Sequence, residues 1–297
     1  MANYNNEQLA NWQQPISGSE DETIKNVVSM VRDAINASSD LKDFDIEVFL
    51  QGSYANNTNV KQNSDVDINV CLKTTFYYKL PEGRTKDQYN ISDSSYSYLT
   101  FKTAVYNAMV AKFGRENVQR KNKCIHIKEN TYHHEADVVP TFEYRKYGYS
   151  YVQARGVKFL CDDLSEIINF PKQQVANGTT KNNDTGRRYK RTARILKRVR
   201  YKMQDERVSL NSNISSFLIE SLLWNVPNYL YDEDDLNERL SNILVYLYSC
   251  TTSDVKMRSW NEESDMLPLF SSDRKWTITD VQEFIIQVWK YLGYSNE

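Results

Sequence analysis

The sequence predicts an α+β fold, with a mixed sheet and helices in the first half and a helical bundle in the second half. Ile46, Val48 and Leu50 recur at every second position, which predicts a strand that ends at Gln51, and a second strand-like segment covers 65–72. After about residue 160, most segments carry apolar residues at helical spacing instead. Hydrophobic residues make up 40% and aromatic residues 12% of the 297 residues, which is enough for a folded core.

The first half alternates between helix and strand signals. Ile24, Val28 and Val31 fall on one face of a helix over about 20–37. A polar stretch that contains proline and glycine predicts a loop over 73–92. The other predicted elements are strands over 46–51, 65–72, 118–128, 135–144 and 148–153, and a helix over 93–113 that Gly114 closes.

The second half reads as helical after a change in composition. Residues 177–186 are rich in asparagine, glycine and threonine, which predicts a turn-rich linker. The helices that follow are predicted over about 187–204, 214–226, 234–250 and 279–292. We therefore expect a core with an N-terminal helix over residues 1–160 and a helical domain over residues 161–297.

Composition and charge exclude several classes of protein. There are 37 basic and 39 acidic residues, so the net charge of −2 excludes a wholly basic nucleic-acid-coating surface, although not a local basic cleft. No apolar run approaches the ~18 residues of a membrane-spanning helix, and no secretory signal precedes the first helix. The cysteines lie far apart and the three histidines complete no zinc pattern, so we expect buried thiols in a reducing cytoplasm.

The most informative pattern is a set of three aspartates on two predicted strands. Asp65 and Asp67 are two residues apart, so on a strand their carboxylates share one face. Two carboxylates on one face repel each other unless a cation lies between them, and oxygen ligands suit Mg²⁺. Asp137 lies in a later apolar strand, where a lone carboxylate is costly unless it is paired or bound to metal. An Asp-x-Asp pair alone is usually a solvated pair, but the combination predicts a site for two metal ions.

A glycine and a serine stand where the preceding strand turns. In Gln51-Gly52-Ser53, a glycine lets backbone N–H groups approach a phosphate, and the serine hydroxyl adds a donor. Asp65 follows Ser53 by 12 residues. We therefore expect Gln51, Gly52 and Ser53 to bind a phosphate group beside the aspartates.

A strongly basic helix is predicted over 187–204. Ile195, Val199 and Met203 form one apolar stripe, and the rest of the helix carries charge. One interpretation is that the basic residues form a cationic wall that faces a triphosphate. A second is that they form a solvated charged face. A third is that outward arginines such as Arg198 and Arg200 dock nucleic acid. The basic residues are Arg187, Arg188, Lys190, Arg191, Arg194, Lys197, Arg198, Arg200 and Lys202.

These motifs resemble those of a known enzyme superfamily. The Gly-Ser, Asp-x-Asp and third Asp layout is similar to that of polymerase-β-like nucleotidyltransferases. Within them, Gly52-Ser53-Tyr54-Ala55-Asn56-Asn57-Thr58-Asn59-Val60 with Ser64-Asp65-Val66-Asp67-Ile68 resembles the bacterial CD-NTases, the cGAS/DncV-like enzymes. The segment from Asn177 to Lys197 resembles the clade E members, which include cyclic UMP-AMP synthases. The resemblance covers residues 45–225.

The resemblance implies a fold, a reaction and a set of roles. It implies a polymerase-β-like core, a helical domain that closes the nucleotide cleft, and an active site in the cleft between them. It implies a Mg²⁺-dependent synthase (two ions, with Mn²⁺ as a substitute) that makes a pyrimidine-containing cyclic dinucleotide from ATP and UTP in bacterial anti-phage (CBASS) signalling. A cyclic-dinucleotide-activated effector is the implied partner. Since the sequence lacks the zinc-ligand insertion of animal DNA sensors, we expect no activation by DNA.

The resemblance also assigns residues around the nucleotide. Lys197 would reach the triphosphate, and Ser216 would donate to the same phosphates. Phe217 would stack on a base, although core packing with Leu218 and Leu222 is an equal alternative. Tyr54 is a candidate pocket residue, and Asn182 would read a base edge or else serve a turn.

Two competing functions remain open from the sequence. One is a terminal nucleotidyltransferase that acts on RNA or on a protein, as antitoxin-type enzymes do. The other is a non-catalytic nucleic-acid-binding module built on the basic helix, which would bind without divalent metal and with strong salt dependence. The three aspartates argue against the second, because a pure binder has no reason to place carboxylates near phosphates.

Overall fold

The computed structural model describes residues 2–15, 20–60 and 65–294 of the chain. These residues fall into two compact units. Of the described residues, the sheet unit comprises 20–55 and 65–171, and the helical unit comprises 2–15, 56–60 and 172–294. The units thus divide at 171/172 rather than at the expected 160/161, and the N-terminal segment groups with the helices.

Among the described residues, the sheet unit forms one mixed sheet, as predicted, but with seven strands rather than the five expected. The order is β1-β2-β5-β4-β3, with β6 paired to β5 and β7 paired to β6. The pair β2–β5 is parallel and the other pairs are antiparallel. The strands are β1 Ile46–Leu50, β2 Val66–Lys79, β3 Val118–Arg120, β4 Ile125–Ile127, β5 Ala136–Tyr147, β6 Val152–Leu160 and β7 Glu166–Asn169.

Ten α-helices occur in the described residues, most of them in the helical unit. The three in the sheet unit are the second, third and fourth, and the second and fourth bury their apolar faces in one core with the sheet. The helices are α1 Asn6–Trp12, α2 Glu20–Ala37, α3 Gly52–Ala55, α4 Tyr98–Phe113, α5 Pro171–Asp184, α6 Arg188–Asp205, α7 Ser216–Trp224, α8 Leu236–Thr251, α9 Asp254–Arg258 and α10 Ile278–Tyr291.

The predicted loop over 73–92 is partly wrong. Strand β2 continues to Lys79 and stays paired with β5, with a register shift between Leu72 and Phe76. The irregularity at this shift breaks the alternation of side chains, so the sequence pattern hides the second half of the strand.

The predicted linker over 177–186 is also wrong, because most of it belongs to α5. A Cβ atom on Gly178 would lie 2.1 Å from Glu263 Oε1 and 2.7 Å from Asn56 Oδ1, so only glycine permits this packing. Asn177 Nδ2 donates to the carbonyl of Glu263, and Gln174 Nε2 donates to its carboxylate. Tertiary contacts therefore stabilise a helix that local propensity disfavours.

All four cysteines are buried and none is in a disulfide bond, as predicted. Among the described helices, none combines the length and the apolar character that crossing a bilayer requires.

Candidate active site

The three aspartates lie close together on neighbouring strands. Asp67 and Asp137 are direct register partners in the parallel pair β2–β5. Side chains alternate along both strands, so the two carboxylates share one face, while Val66 and Val138 are buried on the other. Asp65 stands immediately before β2 and interacts electrostatically with Asp67. The geometry thus brings together the set that the sequence analysis selected.

Burial and the two neighbouring carboxylates strongly perturb Asp67. The pKa of Asp67 is raised from 3.8 to about 7 by burial and by the charges of Asp137 and Asp65. A divalent cation would relieve both effects, because it replaces the lost hydration and neutralises the repulsion. One ligand atom each from Asp65, His126 and Asp137 lie within 4.8 Å of one another. The carboxylate oxygens of this group are donors that fit a hard divalent cation.

Gly52 lies directly against the carboxylate of Asp67. Its φ of +67° is in the left-handed region, and a Cβ atom there would lie 2.3 Å from Asp67 Oδ2. The backbone N–H of Gln51 donates to the carbonyl of Asp67 at 2.9 Å. The turn between β1 and α3 thus requires glycine for two independent reasons, its conformation and its lack of a side chain.

A buried polar chain behind the aspartates orients Gln51. Asn69 Nδ2 donates to Gln51 Oε1 at 3.0 Å, and Thr141 Oγ1 donates to Asn69 Oδ1 at 2.8 Å. Ser53 is half-buried in α3, and Tyr54 makes an edge contact with His134 at 6.0 Å between ring centroids. The sequence analysis missed Asn69 and Thr141, although Asn69 continues the every-second-residue polar pattern of Asp65 and Asp67 and was a visible signal.

His126 is the other residue that the sequence analysis missed. It lies in β4, which is the antiparallel neighbour of β5, and its register partner is Asp137. Its Nδ1 lies 2.9 Å from Asp137 Oδ1, and its Nε2 lies 2.8 Å from Glu135 Oε1. No sequence spacing could reveal this contact, because it depends on the pairing of two separate strands.

The structure gives Lys197 a different role from the implied triphosphate contact. This side chain is only 1% exposed. Its ammonium donates to the carbonyl of Thr58 and pairs with Glu220 Oε1, both at 2.7 Å. Because a buried ammonium needs such partners, Lys197 is fixed within the helical unit and does not present a free charge.

Lys197 belongs to a buried polar network in the helical unit. Asn56 Nδ2 donates to Glu220 Oε2 and to both oxygens of Glu263. The Tyr189 hydroxyl donates to Glu263 Oε1 at 2.8 Å. Burial, followed by the charge of Glu220, raises the pKa of Glu263 from 4.5 to about 7.

This network predicts opposite stability effects for its two glutamates. Glu263→Gln should raise the free energy of unfolding at pH 8 and change it much less at pH 5. The raised pKa means that the fold favours the neutral form, so the cost of ionising Glu263 grows as pH rises from 4.5 and is complete above about 7. Each pKa unit corresponds to about 1.4 kcal/mol. Denaturant unfolding at the two pH values measures the difference.

Glu220→Gln is the matched control for this prediction. It removes the charge that pairs with Lys197 and leaves a buried ammonium, which costs about 3–5 kcal/mol. We expect this variant to be less stable than the wild type at both pH values. Equal effects of Glu263→Gln and Glu220→Gln on the free energy of unfolding would contradict the prediction that one carboxylate is unfavourable and the other is required.

Several basic side chains of α6 are tied to backbone carbonyls. Arg194 donates to the carbonyls of Gln13 and Asn57, both at 2.6 Å. Arg198, for which outward docking of nucleic acid was one alternative, donates to the carbonyl of Asn11 at 2.9 Å and is half-buried. These arginines fix chain segments within the helical unit, so they do not form a free cationic wall.

Ser216 begins α7 beside two polar side chains of α6. Its Oγ lies 3.5 Å from Arg200 Nη1 and 3.5 Å from the Tyr201 hydroxyl. The Nε atom of Arg200 is buried and has no hydrogen-bond partner within the described ranges. Phe217 contacts Trp276, with ring centroids 6.2 Å apart.

Asn182 serves the chain reversal between α5 and α6, which was one of its two expected roles. Its Oδ1 accepts from the backbone N–H of Lys190, and its carbonyl accepts from the N–H of Arg187. Arg187 has a φ of +64° at the start of α6. The amide of Asn182 therefore satisfies a free N–H group in the first turn of that helix.

Both halves of the chain match known protein families. The nucleotidyltransferase domain family matches residues 31–153. The family described as the cGAS/DncV-like nucleotidyltransferase C-terminal helical domain matches residues 176–293. The two matched regions follow the division between sheet and helices.

Full-length relatives are similar over nearly the whole chain. The cyclic dipyrimidine nucleotide synthase CdnE of Cecembia lonarensis is 46% identical over 99% of this chain and 100% of its own. The structure of the Elizabethkingia meningoseptica CdnE cyclic dinucleotide synthase with GTP and Apcpp has a TM-score of 0.83 and 36% identity, and covers 98% of this chain and 100% of that one. The structure of the Rhodothermus marinus CdnE c-UMP-AMP synthase with Apcpp and Upnpp has a TM-score of 0.84 and 25% identity, with 99% of both chains covered.

Proposed function

This chain belongs to the CD-NTase family of cGAS/DncV-like nucleotidyltransferases, in its CdnE branch, and on that premise we propose that it makes a pyrimidine-containing cyclic dinucleotide from nucleoside triphosphates. The observation that carries the proposal is the register pairing of Asp67 with Asp137 beside Gly52. The relative at 46% identity, named a cyclic dipyrimidine nucleotide synthase, supports the pyrimidine. ATP and UTP are the proposed substrates, as for a c-UMP-AMP product.

In this proposal Asp65, Asp67 and Asp137 hold two Mg²⁺ ions, for which Mn²⁺ can substitute. Such ions neutralise phosphate charge and lower the pKa of an acceptor hydroxyl. The carboxylates of the chain position the reacting groups. Because Gly52 has no side chain, it leaves room for the carboxylate of Asp67. Gln51 and Ser53 are proposed to orient the phosphates.

The reaction consists of two transfers of the same kind. A ribose hydroxyl of one nucleotide attacks the α-phosphorus of the second, a P–O bond forms, and pyrophosphate leaves. The linear product retains the triphosphate of the first nucleotide. A ribose hydroxyl of the second nucleotide then attacks the α-phosphorus of that triphosphate, which closes the ring and releases a second pyrophosphate. The protein forms no covalent bond and contributes positioning and charge stabilisation.

We propose Ser216, Arg200 and Tyr201 as phosphate-binding groups in place of Lys197. Lys197 already has its full set of partners, whereas the guanidinium of Arg200 has a buried nitrogen without one. A guanidinium and two hydroxyls match the acceptor oxygens of a phosphate. Phosphate binding in this proposal does not require Asn182, Tyr54 or Phe217.

Removal of Arg200 tests this assignment. Arg200→Met should raise the KM for the nucleotides about 10-fold or more, since a hydrogen bond to a charged group is worth about 1.5–3 kcal/mol. Arg191→Met is the matched control, because it removes a similar charge from an exposed position on the same helix. Steady-state kinetics measure both variants, and equal KM values would contradict the proposal.

Product analysis tests the overall function. The purified chain should convert mixed ATP, UTP, CTP and GTP with Mg²⁺ into a phosphatase-resistant cyclic product that contains a pyrimidine, without added DNA. Chromatography and mass spectrometry identify the product. A requirement for RNA or for a protein acceptor would favour a terminal nucleotidyltransferase, and no turnover at all would contradict the proposal.

A cyclic-dinucleotide-activated effector in bacterial anti-phage (CBASS) signalling is the proposed partner for the product.

A further inference from the structure

His126 connects two acidic side chains at the edge of the aspartate cluster. Its ring is 8% exposed, and each of its nitrogens faces a different carboxylate. Nδ1 lies 2.9 Å from Asp137 Oδ1, whereas Nε2 lies 2.8 Å from Glu135 Oε1. The distance from Nδ1 to Asp65 Oδ2 is 4.0 Å, too long for a hydrogen bond. The imidazole thus engages Asp137 directly and Asp65 only at a distance.

The backbone fixes this arrangement on both sides. His126 and Asp137 are register partners in the antiparallel pair β4–β5, so their side chains point to the same face. Glu135 lies two residues before Asp137 and holds the opposite edge of the ring. Lys121 Nζ also lies 3.5 Å from the same oxygen, Asp137 Oδ1. Two nitrogen groups on one oxygen restrict the rotation of that carboxylate.

The contacts favour a supporting role over direct coordination. Mg²⁺ prefers oxygen ligands, and both ring nitrogens are already within hydrogen-bond distance of carboxylate oxygens. Carboxylates that bind metal ions are commonly held in turn by hydrogen bonds, and loss of such a partner costs about 10–100-fold in metal affinity.

We propose that His126 is a positioning residue that holds Asp137 in the orientation for metal binding, with Glu135 fixing the ring. This inference rests on the proposed function, because it takes Asp137 as a ligand of the divalent cation. It adds to the catalytic site a residue that touches neither substrate nor metal. The essential contact is the one between Nδ1 and Asp137.

Two substitutions separate the two ends of the ring. Asparagine places its amide nitrogen near the position of Nδ1, whereas glutamine places its amide nitrogen near that of Nε2. His126→Asn should therefore retain the hydrogen bond to Asp137, and His126→Gln should retain only the contact with Glu135. His126→Ala removes both contacts.

Mn²⁺ serves as the probe, with the full-length chain at one fixed pH. Electron paramagnetic resonance measures the Kd for Mn²⁺ without nucleotide, and turnover gives the half-saturating Mn²⁺ concentration. We expect His126→Ala and His126→Gln to raise both values about 10–100-fold, and His126→Asn to recover most of the loss. Melting temperatures show whether each variant is folded. If the alanine variant fails to fold, the comparison of asparagine with glutamine still decides the question.

The possible failures are distinguishable. If Asp67→Asn leaves the Mn²⁺ values of the wild type unchanged, the proposed metal site is wrong and the role of His126 falls with it. If Asp67→Asn abolishes binding but His126→Ala and His126→Gln bind Mn²⁺ like the wild type, only the positioning role is overturned. Equal losses in the asparagine and glutamine variants would also overturn it, because Nδ1 would then not be the essential atom.

Discussion

Asp67→Asn will abolish nucleotide transfer and, at pH 8, raise the melting temperature of the metal-free protein. The two effects have one cause, since the carboxylate that the proposed cations need is half-buried next to Asp137 and Asp65. An asparagine has nearly the same shape but carries no charge to bind a cation or to repel its neighbours. We expect at least about a 10³-fold loss of turnover, which corresponds to about 4 kcal/mol.

The pH dependence gives the sign of the stability effect. The pKa of Asp67 is raised from 3.8 to about 7, so the metal-free fold favours the protonated acid. The cost of ionisation begins to grow above pH 3.8 and is complete above about pH 7, where the asparagine variant gains most. The gain in melting temperature should therefore shrink as pH falls from 8 to 5. Calorimetry in EDTA measures this gain in melting temperature. For chains of 150–250 residues, a stabilisation of 1 kcal/mol raises the melting temperature by about 2–4 °C.

A surface substitution provides the control for both effects. Asp43 is exposed, and Asp43→Asn makes the same chemical change away from the aspartate cluster. This variant should retain wild-type turnover and melting temperature. Turnover at the wild-type rate by Asp67→Asn would show that Asp67 does not bind the cations. A lower melting temperature of this variant at pH 8 would show that Asp67 does not carry an unfavourable charge in the metal-free fold.

The sequence predicts the local elements of the sheet unit well, but the pairing of its strands is a tertiary property. Alternation around Val48 and the Asp-x-Asp spacing at Asp65 were sufficient to predict β1 and the start of β2. The register of Asp67 with Asp137 joins residues 70 positions apart, and it depends on parallel pairing that no local pattern encodes. The residue pattern itself led to the expectation that Asp137 joins Asp65 and Asp67, and the geometry brings the three together, but the register was not predicted.

The errors occur where tertiary contacts override local signals. Helix α5 contains Gly178 because the side chains of Asn56 and Glu263 leave no room for a Cβ atom, so a residue typical of a linker became part of a helix. The family resemblance implied a triphosphate contact for Lys197, whereas the structure pairs its ammonium with a buried carboxylate. Its partner Glu220 lies on a different helix and could not be identified from sequence spacing. Cross-element pairs of this kind determine which charges remain available for a substrate.

Gly52→Ala should reduce turnover about 100-fold although it adds only one methyl group. The methyl carbon would lie 2.3 Å from Asp67 Oδ2, closer than any van der Waals contact allows, so the carboxylate or the turn must move. A displacement of about 1 Å in a catalytic group can cost about 10²-fold. The positive φ of +67° adds about 1 kcal/mol of backbone strain for an L-residue.

The chain offers a control that separates the strain from the clash. Gly83 has a φ of +74°, and a Cβ atom there meets nothing within 4 Å. Gly83→Ala should therefore lower the melting temperature to a similar extent and leave turnover unchanged, whereas Gly52→Ala should also weaken Mn²⁺ binding through the displaced Asp67. Melting curves, steady-state rates and Mn²⁺ titrations of the two variants give this comparison. If both variants lose stability equally and both retain turnover, the contact between Gly52 and Asp67 does not shape the site, and glycine is required there for its backbone conformation alone.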